Sequence, residues 1–444
     1  MRQIRQFSAL MAFALTVTVV CAAQPARAVT LLRDPGIEYA LGQLAAPILQ
    51  AAGLNPTRTD ILIIDERKLN AFVVDRDTIF INSGLLLKME TPQMLQSVIA
   101  HEAAHIANGH LVRRPQNIRN ARTAAGLGMA LAAAAGAVSG SGAAALGIAA
   151  GAQGTAQRLL FSHTRAEESS ADNAAVAYMV RAGRDPSGAV AVMDIFRGQE
   201  ALSAARQDPY ARTHPMSADR VRVLQRLTAA YAGKTPASNA DLYWFARAKG
   251  KLSAFQRSPK WTLNRAAREG FADVGLMQQA VAWHRQSNLR KSIAAMDRAI
   301  AARPNDPFYH ELRGQILMES RQFDAAINAY ARAVNLAPDN ALILGSYGRA
   351  LVAQGQYGKA LQVLEKARGR DGRDARVMRD LAVAYARGGQ NGMASLVTAE
   401  RYAMQGRMED AQLHAQRASG LLPNGSGGWQ RAQDVLSAAK TAGR

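Results

Sequence analysis

TPQMLQSVIAHEAAHIANGHL, residues 91–111, is the stretch on which the reading of this chain turns. Thr91 suits the N-cap of a helix, and Pro92 suits its first turn. The spacing predicts a helix from Pro92 to about Leu111. His101 and His105, four apart, would share one face of it. Two imidazoles so placed can hold one metal ion, and Glu102 can reach a metal-bound water. Those are the mechanics of an H-E-x-x-H zinc hydrolase motif, with Glu102 as general base.

A two-histidine site needs a third ligand. A second glycine-histidine extension would require Gly and His where Asn108 and Leu111 stand, which excludes that variant. His110 follows His105 by five residues and would be rotated off the ligand face of a continuous helix, leaving it to support a ligand or the local structure. The remaining solution is a glutamate from another helix, completing a His₂Glu site. Glu168 is taken as that ligand, with Glu167 beside it as the alternative. Asp172 lies one turn after Glu168 on the same face, where it can hydrogen-bond a ligating imidazole and fix its tautomer.

Upstream, residues 35–52 show helical periodicity, with Gly53 as a C-cap. Residues 61–64, 71–74 and 78–81 read as strands, the last two joined by a turn at Asp75-Arg76-Asp77. Downstream, residues 123–157 are Ala- and Gly-rich and contain no charged side chain. They are read as a helical hairpin beside the metal helix. Whether it covers the site or touches a membrane stays open. Gly140-x-Gly142-x-x-Ala145 lacks a preceding strand and a suitable acid, so it is no dinucleotide fingerprint. Helices are expected over 159–182 and 187–203, and a linker at Lys234–Ser238.

Past residue 270 the chain repeats. Pro304-Asn305-Asp306 recurs 34 residues later as Pro338-Asp339-Asn340, and Gln322-Phe323 as Gln356-Tyr357. Ala326 maps onto Ala360, and Ala341 onto Ala375. This is the period of tetratricopeptide helix pairs. A third unit turns at Gly388-Gly389-Gln390, and a fourth pair is expected over about 395–419, out of register.

The N-terminus carries Arg2 and Arg5, an apolar run from Phe7 to Ala23, and Ala26-Arg27-Ala28. These read as a secretory signal cleaved after Ala28. The only cysteine, Cys21, lies within it. Disulfides, a thiolate nucleophile and cysteine ligands are therefore excluded from the mature chain. Formal charge is +20 over 444 residues. No nucleic-acid-binding motif accompanies that charge, so nucleic acid is not an expected partner; an exported basic chain meets anionic envelope surfaces instead.

The chain resembles the gluzincin metallopeptidases that include HtpX and the CAAX prenyl proteases. The resemblance covers roughly 55–225 and rests on Leu69-Asn70-Ala71-Phe72, Asn82-Ser83-Gly84-Leu85-Leu86, His101 to His105, Glu168 to Asp172, and Thr213-His214-Pro215 with Arg220. Ser162-His163 stands where the family usually has Ser-Arg. The order of signal, protease and repeats is most similar to the periplasmic BepA-type subgroup.

That resemblance implies a zinc endopeptidase in the periplasm of a Gram-negative bacterium, with one Zn²⁺ held by His101, His105 and Glu168. Its substrates would be unfolded or misassembled outer-membrane proteins, and its repeats would dock the outer-membrane assembly machinery or the substrate. His214 is implied either to reach the zinc and hold the enzyme latent, or to stabilise the oxyanion beside Glu102. The competing class is a repeat-based chaperone or assembly adaptor with a latent protease site. The expected fold is mainly α with a small β-sheet, an α+β zincin-like domain followed by a helical solenoid. The expected segments are signal 1–28, protease 29–232, connector 233–270, repeats 271–422 and a helical tail 423–444.

Overall fold

The computed structural model describes residues 30–111, 164–203 and 206–442. The signal segment 1–28, the hairpin 123–157 and Ser162-His163 lie outside the described residues.

The small sheet has the order β1-β2-β4-β3, with β1 Leu31–Leu32, β2 Asp60–Ile64, β3 Ala71–Val73 and β4 Thr78–Asn82. β2 and β4 run parallel, while β1 and β3 add antiparallel at the two ends. Ile61, Ile63, Ile79 and Ile81 are buried against the helix Pro35–Ala51, whose Leu41, Leu44 and Ile48 are fully buried. These β-branched runs suit a covered sheet. Asp34 caps that helix by accepting from the Ile37 N–H, and Pro35 opens it.

The motif Asn82-Ser83-Gly84 turns β4 into a short helix, Ser83–Lys88. Its side chains hold the loop before β3. Asn82 Nδ2 donates to the Lys68 carbonyl and Ser83 Oγ to the Glu66 carbonyl. A Cβ at Gly84 would run into the Arg67 carbonyl, so only glycine allows this approach. The motif thus fixes the edge strand that lies beside the helix Pro92–Ala107.

That helix starts as its sequence predicts: Thr91 Oγ1 accepts from the Met94 N–H. It ends earlier than expected. Asn108 caps it, and Gly109 takes a left-handed conformation with φ of 67°. Residues 164–181 form the next described helix. Gly188–Ile195 packs on the Pro92–Ala107 helix, Pro209–Thr213 is a short helix, and Ala218–Ala229 follows. In place of a helix over 187–203, Gly198 at φ 81° interrupts the chain and only Gln199–Ala201 turns again.

The helix Asn239–Gln256 joins two cores. Phe245, Ala248 and Leu252 pack into the protease core, while Tyr243 and Ala254 pack against the first repeat helices. From Ala272 onward the chain is helical pairs: Ala272–Arg285 with Leu289–Ala302, Pro307–Glu319 with Phe323–Leu336, Ala341–Ala353 with Tyr357–Arg370, and Ala375–Arg387 with Asn391–Met404. Met408–Leu421 and Gly427–Ala442 close the array. The third unit keeps the 34-residue offset. The pair expected over about 395–419 corresponds to the helices Asn391–Met404 and Met408–Leu421, joined by a turn at 405–407 where Gly406 has φ of 72°.

Ser287, Arg321, Gly355 and Gly389 all have positive φ. They stand 34 residues apart, so the period is written in the backbone.

The repeats are clasped to the N-terminal strand by charge. Arg33 pairs with Glu38 at 2.7 Å and Asp371 at 2.6 Å. Lys251 meets Asp34 at 2.7 Å and Glu311 at 3.7 Å. Arg373 pairs with Asp60. Among the described residues no helix is long and apolar enough to cross a membrane.

Candidate metal centre

His101 and His105 project from one face of a helix whose surroundings are almost wholly buried; they are 4% and 2% exposed. Their Nε2 atoms stand 3.1 Å apart. Glu168, on the helix 164–181, brings Oε2 to 3.3 Å from His101 Nε2 and Oε1 to 3.4 Å from His105 Nε2. Glu167 is only half-buried and takes no place in the cluster. His214, just past the helix Pro209–Thr213, places Nδ1 3.2 Å from His101 Nε2 and 3.0 Å from Glu168 Oε2.

Ligand atoms of these four residues lie within 4.8 Å of one another. Donors about 2.0–2.1 Å from a tetrahedral ion are separated by roughly 3.3 Å. The distances given above, 3.0 to 3.4 Å, bracket that value. Three imidazoles and a carboxylate aimed at one dry point fit a cation, and nitrogen with carboxylate donors suits zinc.

A layer of polar contacts holds the donors in place. Asp172 Oδ1 sits 3.0 Å from His101 Nδ1, as the helical spacing from Glu168 predicts. Arg220 grips Asp172 through Nε at 2.6 Å and Nη2 at 2.8 Å, and reaches Glu168 through Nη1 at 2.9 Å. The left-handed turn at Gly109 swings His110 back, so its Nδ1 lies 2.9 Å from His105 Nδ1. The sequence reading placed His110 off the ligand face of a continuous helix. The break at Asn108-Gly109 gives it a different route, to the outer nitrogen of a ligand histidine.

Buried charge sets the protonation of this cluster. Burial pushes His101 down, but hydrogen bonds to Asp172 and Glu168 outweigh it and raise the imidazole to about 10. His105 follows its burial instead, down to about 3, with His101 and His214 adding repulsion against the pull of Glu168. Burial would raise Glu168, yet His214, His101 and His105 hold it well below the usual carboxylate range. Asp172 is held at about 2, since the Arg220 hydrogen bond overcomes burial.

Glu102 is fully buried, and its Oε1 lies 3.4 Å from His214 Nε2. His214 therefore spans from the donor cluster to the expected general base. Its ring packs on Tyr210 at 4.6 Å between centroids, and Tyr210 in turn on Phe196 at 4.9 Å. Sequence reasoning missed Tyr210, which carries no motif. It quoted Arg220 without a role, since one arginine does not stand out in so basic a chain. The remaining described histidines are elsewhere: His284 pairs with Glu319, His310 reaches the Pro304 carbonyl, and His414 packs by Tyr402.

Comparison with known proteins agrees with this geometry. Residues 37–228 match the family model described as Peptidase family M48, and residues 317–379 match a tetratricopeptide repeat. The beta-barrel assembly-enhancing protease of Escherichia coli strain K12 is 23% identical over 405 residues, covering 89% of this chain and 81% of its own. The protein of that name from Yersinia pestis is 21% identical, covering 86% and 79%. A solved structure titled MamA MSR-1 C2 aligns at 17% identity over 37% of this chain and 96% of its own, with a TM-score of 0.31. That score is too low to bear on fold or function.

Proposed function

We propose that this chain, a metalloprotease whose residues 37–228 form a Peptidase family M48 domain, is a zinc-dependent endopeptidase of the periplasm with a gated active site. It would act on unfolded or misassembled outer-membrane proteins. The relatives' name, beta-barrel assembly-enhancing protease, supports that substrate class. The observation that carries the chemistry is the convergence of His101, His105, Glu168 and His214 beside the buried Glu102.

His101 Nε2, His105 Nε2 and the Glu168 carboxylate would hold one zinc ion. When bound there, zinc supplies Lewis-acid polarisation of the scissile carbonyl and makes water a nucleophile at neutral pH. Glu102 accepts the proton that the attacking water loses and delivers it to the leaving amine nitrogen. Asp172 keeps the His101 ring oriented through Nδ1, and His110 does so for His105. Among the described residues β3 pairs only with β4, and its outer edge would take an extended substrate as a further strand.

His214 supports a resting state that is closed. Its Nδ1 stands in the fourth donor position, and its Nε2 faces Glu102. Substrate and water need that place, so turnover requires the His214 ring to swing out. This favours a gated enzyme over an always-open one. It also keeps an adaptor role for the repeats compatible with the same chain.

The deciding experiment compares wild type with Glu102→Gln on an unfolded protein substrate, with metal content measured on both. The expected outcome is a loss of about 10²–10⁴-fold in cleavage with unchanged metal per chain. Undiminished cleavage by the variant sinks the mechanism. Full rescue of an envelope defect by the inactive variant would move the main function to the adaptor.

A further inference from the structure

The far end of the repeat array contains a second polar site, remote from the metal centre in sequence. A groove of about 340 Å³ runs between the helices Ala375–Arg387, Asn391–Met404 and Met408–Leu421. One wall is an apolar stripe of the first helix at positions 382, 383 and 386, with Val383 41% exposed. The facing wall is a polar stripe of the second helix at positions 391, 395 and 398, leading to Arg401. These spacings put each set on a single helix face. Arg379, Arg417 and His414 complete the lining, and no carboxylate is part of it.

The cations differ in how far they are satisfied. Arg379 already pairs with its neighbour Asp380 at 2.8 Å. Arg401 has a buried Nε without an acceptor and only the Tyr402 ring against its guanidinium, at 4.8 Å. Among the described residues Arg417 has no hydrogen-bond or ion-pair partner. Burial lowers His414 below its ordinary value, and Arg417 and Arg401 add to that against Asp410. No Phe, Tyr or Trp lines it, so a stacked nucleobase has no platform.

We infer that this groove binds an extended acidic polypeptide segment, with apolar side chains against Val383 and a carboxylate held by Arg401 and Arg417. Planar guanidinium forks match carboxylates bidentately, and hydroxyl and amide groups on the second wall suit the backbone of an extended segment. The inference does not rest on the peptidase reading, because none of these residues touches the metal cluster.

The test uses the full chain carrying Glu102→Gln, so that no probe is cleaved. Fluorescence anisotropy is measured with a labelled short peptide of glutamates interleaved with leucines, and with its glutamine counterpart. The glutamate peptide is expected to bind at least about tenfold more tightly, and Arg401→Glu or Arg417→Glu to remove that advantage. Arg417 is exposed, so its variant should keep the wild-type melting curve. Arg290→Glu, on an exposed position of an earlier helix, is expected to leave binding unchanged. Equal binding of the two peptides overturns the inference. So does an equal loss in Arg290→Glu, which would mean general attraction to a basic chain. Displacement of the peptide by phosphatidylglycerol vesicles, with the same loss of vesicle binding in Arg417→Glu, overturns it in favour of a lipid headgroup.

Discussion

At the metal centre, His101 with His105, Glu168 and His214 come from three separate stretches of chain, and all four are nearly excluded from water. In the repeats, positions 287, 321, 355 and 389 share one left-handed conformation while their residues change from Ser to Arg to Gly. The first region depends on which side chains meet and tolerates an irregular backbone. The second depends on the backbone and tolerates changes of side chain. Damage should therefore be severe and specific in one, and shallow and graded in the other.

Arg220→Ala should test that contrast most strongly. It leaves Asp172 and part of Glu168 buried without their cation, a change that typically costs about 3–5 kcal/mol. Urea unfolding of the metal-free protein reads it directly; an unchanged midpoint would break the comparison. Asp172→Asn is milder, because the ligand set stays intact. Metal affinity should fall about 10–100-fold, measured by competition with a chelator, with little change in the fold.

The clasp between strand and repeats gives an intermediate case. Burial raises Glu311 to about 7, against the pull of Lys251, with Asp34 adding to the rise and Ser346 and Arg376 opposing it. The folded state then holds this proton more tightly than the unfolded chain does. Its contribution is present in full below about pH 4.5 and is lost as pH rises through about 7. Stability should fall between pH 5 and 8 by on the order of 2 kcal/mol. Glu311→Gln should flatten that slope in denaturation curves taken across the range; an unaltered slope would assign it to other groups.

The smallest effect belongs to Arg321→Gly. A non-glycine residue in the left-handed region costs roughly 1–2 kcal/mol. This exposed position should therefore gain about 1 kcal/mol in thermal unfolding, while cleavage stays unchanged. A loss would show that the Arg321 side chain matters after all.

What the sequence disclosed follows the same division. Thr91, Pro92 and the i, i+4 spacing of His101 and His105 are local, so the metal helix could be read from spacing, and so could Asp172's place one turn after Glu168; spacing alone did not separate Glu168 from Glu167. Tyr210 and Arg220 act across dozens of residues, and nothing local marks them. His110 was read as a supporting or structural residue and does stand against His105, but the turn at Asn108-Gly109 that brings it there has no mark in the spacing. The two-residue strand Leu31–Leu32 has no pattern of its own; it exists because β2 offers it an edge. The repeats were legible through their turn residues. The start of the helix Asn391–Met404 was harder to read, because Asn391 carries none of the aromatic signal of Phe323 and Tyr357.

The helix Asn239–Gln256 has a consequence for inheritance. Its two faces belong to different cores, so a recombination event joining this protease to another repeat array could not cut at Lys234–Ser238 without stripping Phe245, Ala248 and Leu252 from the protease. A viable breakpoint lies after Gln256, and the donor array must then accept the faces that Tyr243 and Ala254 present. The two halves of this lineage are free to diversify at their surfaces, but at this seam each constrains the other's substitutions.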